Sequence, residues 1–311
     1  MNMPAISVIM SIKNDEGDYL SQSIESILNQ SFKKFEFIII LDGSDRGTIK
    51  KIEYYKNLDP RLRIFYQENL GLTKSLNIAI RKSRSDLIVR QDYDDVSDLN
   101  RLDFLYKYMI KNLDIVLLGS NCIKINNNNK IIGKIKVECN YKKLKKKILY
   151  FNPLIHPSVI FRKKILKEFN FYNENYIVSQ DYELWSKVSK KYKIANINQY
   201  LLKLRIHKNS VSSSNNFLQR KNSFLINVKN NFKKYEKIID ANIEADLFYI
   251  KKLFNNNDKE VFDFINSRMY VLFYDKIKVY SFFTYNVRTL YLILIYYFYR
   301  PKYLILRLLN K

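Results

Sequence analysis

"DLIVRQDYDD", residues 86–95, joins a run of apolar, β-forming residues directly to a cluster of carboxylates. This order predicts a buried strand that delivers Asp92, Asp94 and Asp95 to its exposed carboxyl end, which is where open α/β sheets bind their ligands. Carboxylates so close together repel one another and would hold protons unless a cation lay among them. The pattern therefore favours a hard divalent ion that also binds the phosphate oxygens of a substrate.

The same stretch has a plainer interpretation as a solvated loop before a helix. Asp95, Ser97 or Asp98 would then be the N-cap of a helix whose apolar face runs from residue 102 to residue 109. Taken alone, an acidic triplet favours this interpretation, because single short motifs are unspecific. The surrounding sequence has to distinguish the two.

Composition indicates a folded protein with an anionic partner. The chain has 311 residues, of which 47% are hydrophobic, enough for one large domain plus a smaller one and a substantial core. Lysine and arginine total 54 against 30 acidic residues, which gives a net charge of +24. Such a charge predicts binding to nucleic acid, a phosphorylated substrate or acidic lipid, without choosing among them.

Two features predict a reducing, cytoplasmic location. Cys122 and Cys139 are the only cysteines, and neither has a paired spacing with histidines, so a zinc site or disulfide framework has no support. No basic segment precedes the apolar run Ile6 to Ile12, and "KNDEGD" ends that run early. A secretory signal is therefore not expected.

Apolar strand-like runs alternate with helix-like segments at short intervals, which predicts a parallel sheet flanked by helices. The strand-like runs are Ile6 to Ser11, "FEFIIIL" ending at Asp42, Leu62 to Tyr66, the run ending at the acidic cluster, and Ile115 to Leu118. The helix-like segments place apolar residues on one face at Leu20, Ile24, Ile27 and Leu28, and again at Leu72, Leu76 and Ile80. "INNNNKII" predicts a surface hairpin.

Seven blocks of sequence within residues 4–214 resemble, in their order along the chain, family 2 of the nucleotide-sugar glycosyltransferases. The blocks are "ISVIMSIKN", "SIESILNQSFKKFEFIIILDGSD", "ENLGLTKSLNIAI", "QDYDDVSDLNRLDF", "HPSVIFRKKIL", "QDYELW" and "LRIHKNSVS". The resemblance implies an α/β GT-A fold, in which a Rossmann-like, mostly parallel sheet is flanked by helices. It implies a catalytic domain over residues 1–214, followed by a helical, basic and aromatic C-terminal region over residues 215–311.

The resemblance also implies how the donor is bound. Asp92 and Asp94 match the two acidic positions of the family's Asp-Xaa-Asp motif, so Mg²⁺ or Mn²⁺ is the expected cofactor, with Asp92 also near the ribose. Ser11 and Asp42 match positions that contact the nucleotide. The alternative for Asp42 is a turn-forming residue before Gly43.

On the acceptor side, Asp181 in "QDYELW" matches the family's catalytic aspartate, the general base for the acceptor hydroxyl. Without the resemblance, Asp181 would be interpreted as an acidic residue favoured at a helix start. His156 resembles a histidine near the acceptor, and Arg205 with His207 resembles a segment near the diphosphate, although each of the three could serve a purely local role. Trp185 is interpreted as a core anchor.

The C-terminal segment from Val279 to Lys311 mixes aromatic and basic residues. Its uncharged run between Arg288 and Arg300 is shorter than the roughly 20 apolar residues that a spanning helix needs. This composition predicts a segment lying on an anionic membrane surface, at the inner face of the plasma membrane. The alternative is a helix packed on the catalytic domain.

The sequence thus predicts an inverting, metal-dependent glycosyltransferase. It would move one sugar from a nucleoside-diphosphate sugar to a hydroxyl of a lipid-linked glycan acceptor, in bacterial surface polysaccharide or lipopolysaccharide synthesis. One alternative is a nucleotidyltransferase, which would release pyrophosphate. The other is a basic nucleic-acid-binding protein, suggested by "YKKLKKK" at residues 141–147, but clustered carboxylates would repel phosphates, so no nucleic-acid partner is expected.

Overall fold

The computed structural model describes residues 3–17, 19–207 and 216–231, which form a twisted mixed sheet flanked by helices. The strands are β1 Ile6–Ile12, β2 Phe35–Asp42, β3 Leu62–Gln67, β4 Leu87–Arg90, β5 Val96–Ser97, β6 Ile115–Ile125, β7 Ile131–Ile135, β8 Ile160–Arg162 and β9 Lys193–Arg205. The helices are α1 Leu20–Leu28, α2 Arg46–Leu58, α3 Leu72–Lys82, α4 Arg101–Lys111, α5 Tyr141–Lys147, α6 Lys163–Glu168, α7 Gln180–Lys191 and α8 Asn216–Asn231.

The first four strands form the parallel part of the sheet, in the order β3-β2-β1-β4. Every residue of β1 and β2 is buried, which explains why both strands are mostly apolar on both faces instead of alternating. Helices α1 and α3 bury the apolar faces that the sequence predicts, including Leu20, Ile24 and Leu76. The predicted strands and helices of this half are confirmed.

The second half of the sheet is mixed. Strand β8 pairs antiparallel with both β4 and β6, β6 pairs parallel with β9, and the two-residue strand β5 pairs antiparallel with β9. The last pairing matters most for function, because Val96 lies opposite Lys203 and Ser97 opposite Leu202. It brings the carboxyl end of β9 beside the acidic loop that precedes β5.

The predicted hairpin is confirmed between β6 and β7. Asn126 closes its turn with a side-chain oxygen that accepts hydrogen bonds from the backbone N–H groups of Asn128 and Lys130, each at 3.0 Å. Asn129 lies in the left-handed region with φ of 61°, a conformation that asparagine tolerates better than most residues.

The alternative that placed Asp95, Ser97 or Asp98 at the N-cap of α4 is wrong. The N-cap residue is Asn100, and none of Asp95, Ser97 or Asp98 occupies that position. Strand β5 separates the acidic loop from the helix, so Asp95 lies too far upstream, and it is only 1% exposed. Asp98 instead accepts a hydrogen bond from the backbone N–H of Asn100 at 2.9 Å.

Helix α8 begins the region that the sequence assigns to the C-terminal extension, and it packs against α7. Asn227 accepts a hydrogen bond from the hydroxyl of Tyr182 at 2.5 Å, and Asn222 donates one to the carbonyl of Val178 at 2.9 Å. Within the described residues, no helix has both the length and the apolarity to cross a bilayer. The aromatic and basic segment from Val279 to Lys311 lies outside the described residues.

Candidate active site

The carboxyl ends of adjacent strands bring the predicted donor-side residues together. Ser11 lies near the end of β1 and Asp42 at the end of β2, while Asp92 follows β4 by two residues. Since β2, β1 and β4 are neighbours in the sheet and run parallel, these three residues share one edge. This is the ligand-binding edge expected of an open α/β sheet.

The acidic loop gathers its three carboxylates into one cluster. Asp92, Asp94 and Asp95 each offer an oxygen within 4.8 Å of the others. Tyr93, which lies between Asp92 and Asp94 in the sequence, packs against the hydrophobic core. Burial raises the pKa of Asp94 and raises that of Asp95 well above its usual range, and the neighbouring carboxylates raise both further.

These carboxylates fit a divalent cation. Asp95 Oδ1 accepts the backbone N–H of Arg205 at 2.9 Å, but no group among the described residues donates a hydrogen bond to its buried Oδ2. A buried carboxylate oxygen without a donor costs free energy unless it is protonated or near a positive charge. An all-oxygen set with raised pKa values is the environment that Mg²⁺ or Mn²⁺ would neutralise.

A buried arginine that sequence reasoning missed holds the acidic loop in shape. Arg101 is 0% exposed and donates hydrogen bonds to the carbonyls of Arg90 and Pro157, at 2.8 and 2.6 Å. It also donates to the side-chain oxygens of Gln91 and Ser97, at 2.7 and 2.8 Å. The only signal in the sequence is an arginine at the start of a helix whose other face is apolar, which does not predict burial.

Arg205 and His207 lie beside the acidic loop, where β9 ends. Arg205 is 2% exposed and donates hydrogen bonds to the carbonyls of Asp94 and Asn126, and to the side chain of Gln22, at 2.8, 2.9 and 3.0 Å. Its side chain therefore links the acidic loop to the β6–β7 hairpin and to α1, and its predicted contact with a diphosphate stays a prediction. His207 Nε2 lies 2.8 Å from Asp94 Oδ2.

Asp42 organises a neighbouring loop. Its carboxylate accepts hydrogen bonds from the side chain of Gln67 and from the backbone N–H groups of Leu70 and Gly71, at 2.7, 2.7 and 2.9 Å. The next residue, Gly43, has φ of +67°, and a Cβ there would meet the Asn69 backbone nitrogen at 2.9 Å. Asp42 thus does more than form a turn, and its contact with the nucleotide remains a prediction.

Asp181 lies in the first turn of α7, immediately after Ser179 and Gln180. Ser179 adopts the left-handed conformation with φ of 63°, which turns the chain into the helix. Asp181 is half-buried, and its Oδ2 accepts a hydrogen bond from the side chain of Asn152 at 2.7 Å. Burial raises the pKa of Asp181, and the helix N–H groups, Arg90 and Asn152 offset part of that rise.

His156 packs against Trp185, which lies one turn after Asp181 on α7. Its Nε2 lies 2.9 Å from the hydroxyl of Tyr172, and its ring stands edge-on to Tyr172 and Trp185. Burial lowers the pKa of His156 well below its usual range, and the positive charge of Arg90 lowers it further, so the ring is neutral at pH 7. Trp185 is 0% exposed, which confirms its interpretation as a core anchor.

Arg90, which sequence reasoning also missed, connects the two sides of the site. The last residue of β4, it is 2% exposed and forms an ion pair with Asp92. Its charge lowers the pKa of both Asp181 and His156, so it acts on the acceptor side as well. An arginine that closes an apolar strand directly before an acidic cluster is the signal that could have identified it.

This sheet, with an acidic cluster at the carboxyl ends of its parallel strands, has the GT-A fold. The chain belongs to glycosyl transferase family 2, whose model matches residues 7–169, more than half of the sequence. The predicted family, fold class and enzyme class are confirmed. The two alternatives, a nucleotidyltransferase and a nucleic-acid-binding protein without activity, are therefore wrong.

Relatives of known role support the same class. The O-antigen biosynthesis glycosyltransferase WbnJ of Escherichia coli is 35% identical over 213 residues, which cover 67% of this chain and 82% of that protein. The UDP-Gal:alpha-D-GlcNAc-diphosphoundecaprenol beta-1,3-galactosyltransferase of Escherichia coli is 29% identical over 211 residues, which cover 66% of this chain and 75% of that enzyme.

Solved structures share the fold. S. aureus TarS in complex with UDP-GlcNAc has a TM-score of 0.57 at 15% identity, covering 79% of this chain and 77% of that one. Mannosyltransferase PcManGT from Pyrobaculum calidifontis, in complex with GDP-Man and Mn²⁺, has a TM-score of 0.54 at 14% identity, covering 75% of this chain and 65% of that one. At these identities the likeness establishes the fold alone.

Proposed function

We propose that this glycosyltransferase is an inverting enzyme that moves one sugar from a nucleoside-diphosphate sugar to a hydroxyl of a lipid-linked glycan. The proposal rests mainly on the presence of two separate acidic groups in the candidate site. A cluster of carboxylates suited to a cation lies at the sheet edge, and a separate carboxylate with a raised pKa, Asp181, lies at the start of α7. Arg90 forms an ion pair with Asp92 of the cluster, and its charge lowers the pKa of Asp181.

In this proposal Asp92 and Asp94 hold the cation, and Asp95 supports them from the buried side. Bound there, Mg²⁺ or Mn²⁺ would supply Lewis-acid stabilisation of the charge on the departing nucleoside diphosphate. Gln91, Arg101 and Arg205 keep the loop rigid, so the carboxylates need little rearrangement to bind a cation. Rigid positioning of this kind lowers the cost of reaching the transition state.

Asp181 removes the proton from the acceptor hydroxyl as the new bond to the sugar forms. One base on the face opposite the leaving group is sufficient for a single displacement with inversion, and no covalent intermediate is needed. Burial makes Asp181 more basic than an exposed aspartate, while the hydrogen bond from Asn152 orients it. The neutral ring of His156 and the hydroxyl of Tyr172 offer uncharged polar contacts to a sugar.

A lipid-linked acceptor is supported by the named relatives. One acts in O-antigen biosynthesis, and the name of the other specifies a diphosphoundecaprenol-linked acceptor. In this proposal the enzyme works at the cytoplasmic face of a membrane, as a peripheral protein. The role is consistent with the net charge of +24, since anionic lipids attract basic proteins.

The proposed function is tested by incubating the purified protein with a panel of nucleotide sugars and Mn²⁺. We expect one donor to release its nucleoside diphosphate, at a rate that falls in a chelator and rises with a prenyl-diphosphate glycan acceptor. The anomeric configuration of the product, measured by NMR, is expected to be opposite to that of the donor. Retention of configuration, or full turnover in the chelator, would contradict the proposal.

Replacing Asn152 by alanine should make activity more sensitive to acid. Asp181 must be ionised to accept a proton, so activity is present above its pKa and is lost as the pH falls through it. The hydrogen bond from Asn152 lowers that pKa, and its removal therefore shifts the acid limb of kcat/KM to higher pH. Loss of a hydrogen bond to a charged group also predicts a fall in kcat of about tenfold at pH 7.

The matched control for this prediction is Asn57→Ala, since Asn57 is exposed on α2. Its profile of kcat/KM against pH should overlay that of the wild type. An unmoved acid limb in Asn152→Ala would mean that Asp181 is not the group that titrates.

A further inference from the structure

Helix α5 and the turn that follows it form a basic surface with aromatic residues at its edge. The lysines of α5 are at positions 142, 143, 145, 146 and 147, and all but the last are exposed. Tyr150 and Phe151 follow within one turn and are 38% and 49% exposed. We refer to residues 141–151 as the α5 surface.

The α5 surface is anchored to the rest of the fold. The side chain of Asn140 caps the helix by accepting a hydrogen bond from the backbone N–H of Lys143 at 3.1 Å. Leu144 and Ile148 are buried, 0% and 1% exposed, so the opposite face of the helix points outward. Lys142 and Lys146, one turn apart, both lie on that outward face.

Charge on this surface is of one sign. Residues 130–151 hold eight lysines and a single acidic residue, Glu138, which forms an ion pair with Lys147 at 2.9 Å. Lysine side chains at a membrane surface reach anionic headgroups while exposed aromatic rings lie at the headgroup level. The composition and the exposure of this surface are therefore complementary to an anionic bilayer.

The α5 surface also adjoins the acceptor side of the site. Phe151 is followed directly by Asn152, whose side chain donates the hydrogen bond to Asp181. Adjacent Cα atoms are about 3.8 Å apart, so the exposed Phe151 lies next to the residue that hydrogen-bonds to Asp181. A bilayer that contacts Phe151 would hold a lipid-linked acceptor near Asp181.

We propose that the α5 surface binds the anionic membrane that carries the acceptor, and thereby presents Asp181 to the lipid-linked glycan. The inference rests on the proposed function for its biological role, but the binding itself is independent of catalysis. It assigns membrane contact to residues of the catalytic domain, in addition to any contact by residues 279–311.

The test is sedimentation of the full chain with vesicles, measured without donor or acceptor. We expect binding to vesicles of phosphatidylglycerol and phosphatidylcholine, and little binding to phosphatidylcholine alone. The triple variant Lys142→Gln, Lys145→Gln, Lys146→Gln should reduce the partition coefficient on the order of tenfold or more, since each lysine contributes to attraction near an anionic surface. Phe151→Ser should reduce it further.

A matched control carries Lys34→Gln, Lys50→Gln and Lys56→Gln, which remove the same charge. These lysines are exposed, with Lys34 beside β2 and the other two on α2. Helix α2 packs on β3 at one end of the sheet, whereas α5 contacts β9 near the other end. The control should keep most of the vesicle binding, and Leu58→Ser on α2 is the counterpart of Phe151→Ser. Thermal unfolding of each variant confirms that it is folded.

Equal losses in the α5 and control variants would mean that net charge alone drives binding, and would overturn the proposal. Full retention of vesicle binding in the α5 variant would also overturn it. So would a variant that loses binding to soluble pyrophosphate but still binds vesicles. Because no substrate is present, these outcomes are separate from the nucleotide-sugar assay. Failure of that assay would contradict the proposed function and leave the vesicle result standing.

Discussion

Asp181→Asn is expected to lower the rate of sugar transfer about 10²- to 10⁴-fold, which is the usual contribution of a general base. Asparagine keeps the size and can still accept the hydrogen bond from Asn152, so the fold of α7 should not change. It cannot take a proton from the acceptor. Since the acidic loop is untouched, calorimetry should find donor affinity close to that of the wild type.

Asp114→Asn is the control for this substitution. Asp114 is exposed and forms an ion pair with Lys193 at 2.8 Å, at the start of β9, whereas the acidic loop contacts Arg205 at the end of β9. The same chemical change there should leave kcat unaltered. Unchanged transfer in Asp181→Asn would remove Asp181 from the mechanism. A large loss of donor affinity would instead place Asp181 on the donor side.

Asp94→Ala is expected to weaken metal-dependent binding of the nucleotide sugar by at least about tenfold, because a cation bound by fewer carboxylates holds the diphosphate less firmly. The decisive measurement is the donor dissociation constant with Mn²⁺ and with a chelator. In the wild type the two values should differ widely. In the variant they should approach one another, since removal of one carboxylate also removes repulsion of the diphosphate.

The control for Asp94→Ala is Asp103→Ala on α4, which breaks only the ion pair with Lys107 at 2.8 Å. Its response to Mn²⁺ should match that of the wild type. If Asp94→Ala keeps the full wild-type difference between Mn²⁺ and chelator, the acidic cluster does not bind the cation. The cluster would then be a structural feature of the loop.

Local pattern in the sequence was sufficient for the parallel half of the fold. Buried parallel strands are mostly apolar on both faces, so β1, β2 and β4 could be recognised without knowledge of their partners. The aspartates that follow β2 and β4 could likewise be placed at one edge, because parallel strands end on the same side. Helix α2, which has a weak apolar face, was not predicted.

Contacts between distant segments could not be predicted in this way. Arg101 looks like a surface residue in the sequence, yet it is buried. Its hydrogen bonds to the carbonyls of Arg90 and Pro157 form only when α4 meets the end of β4 and the segment before β8. The wrong cap of α4 has the same cause, since β5 exists only by pairing with β9. A two-residue strand has no periodicity to detect.

The sequence by itself determined the class of fold, the family and the edge of the sheet that carries the acidic cluster. Local residue patterns are sufficient for these, because they show which strands are buried and in what order the motifs occur. Tertiary structure decided what surrounds that cluster. His207 meets Asp94 across 113 positions, and Asn152 meets Asp181 across 29. Such pairs depend on how strands register and helices pack, and these long-range contacts set the burial and charge of each titratable group.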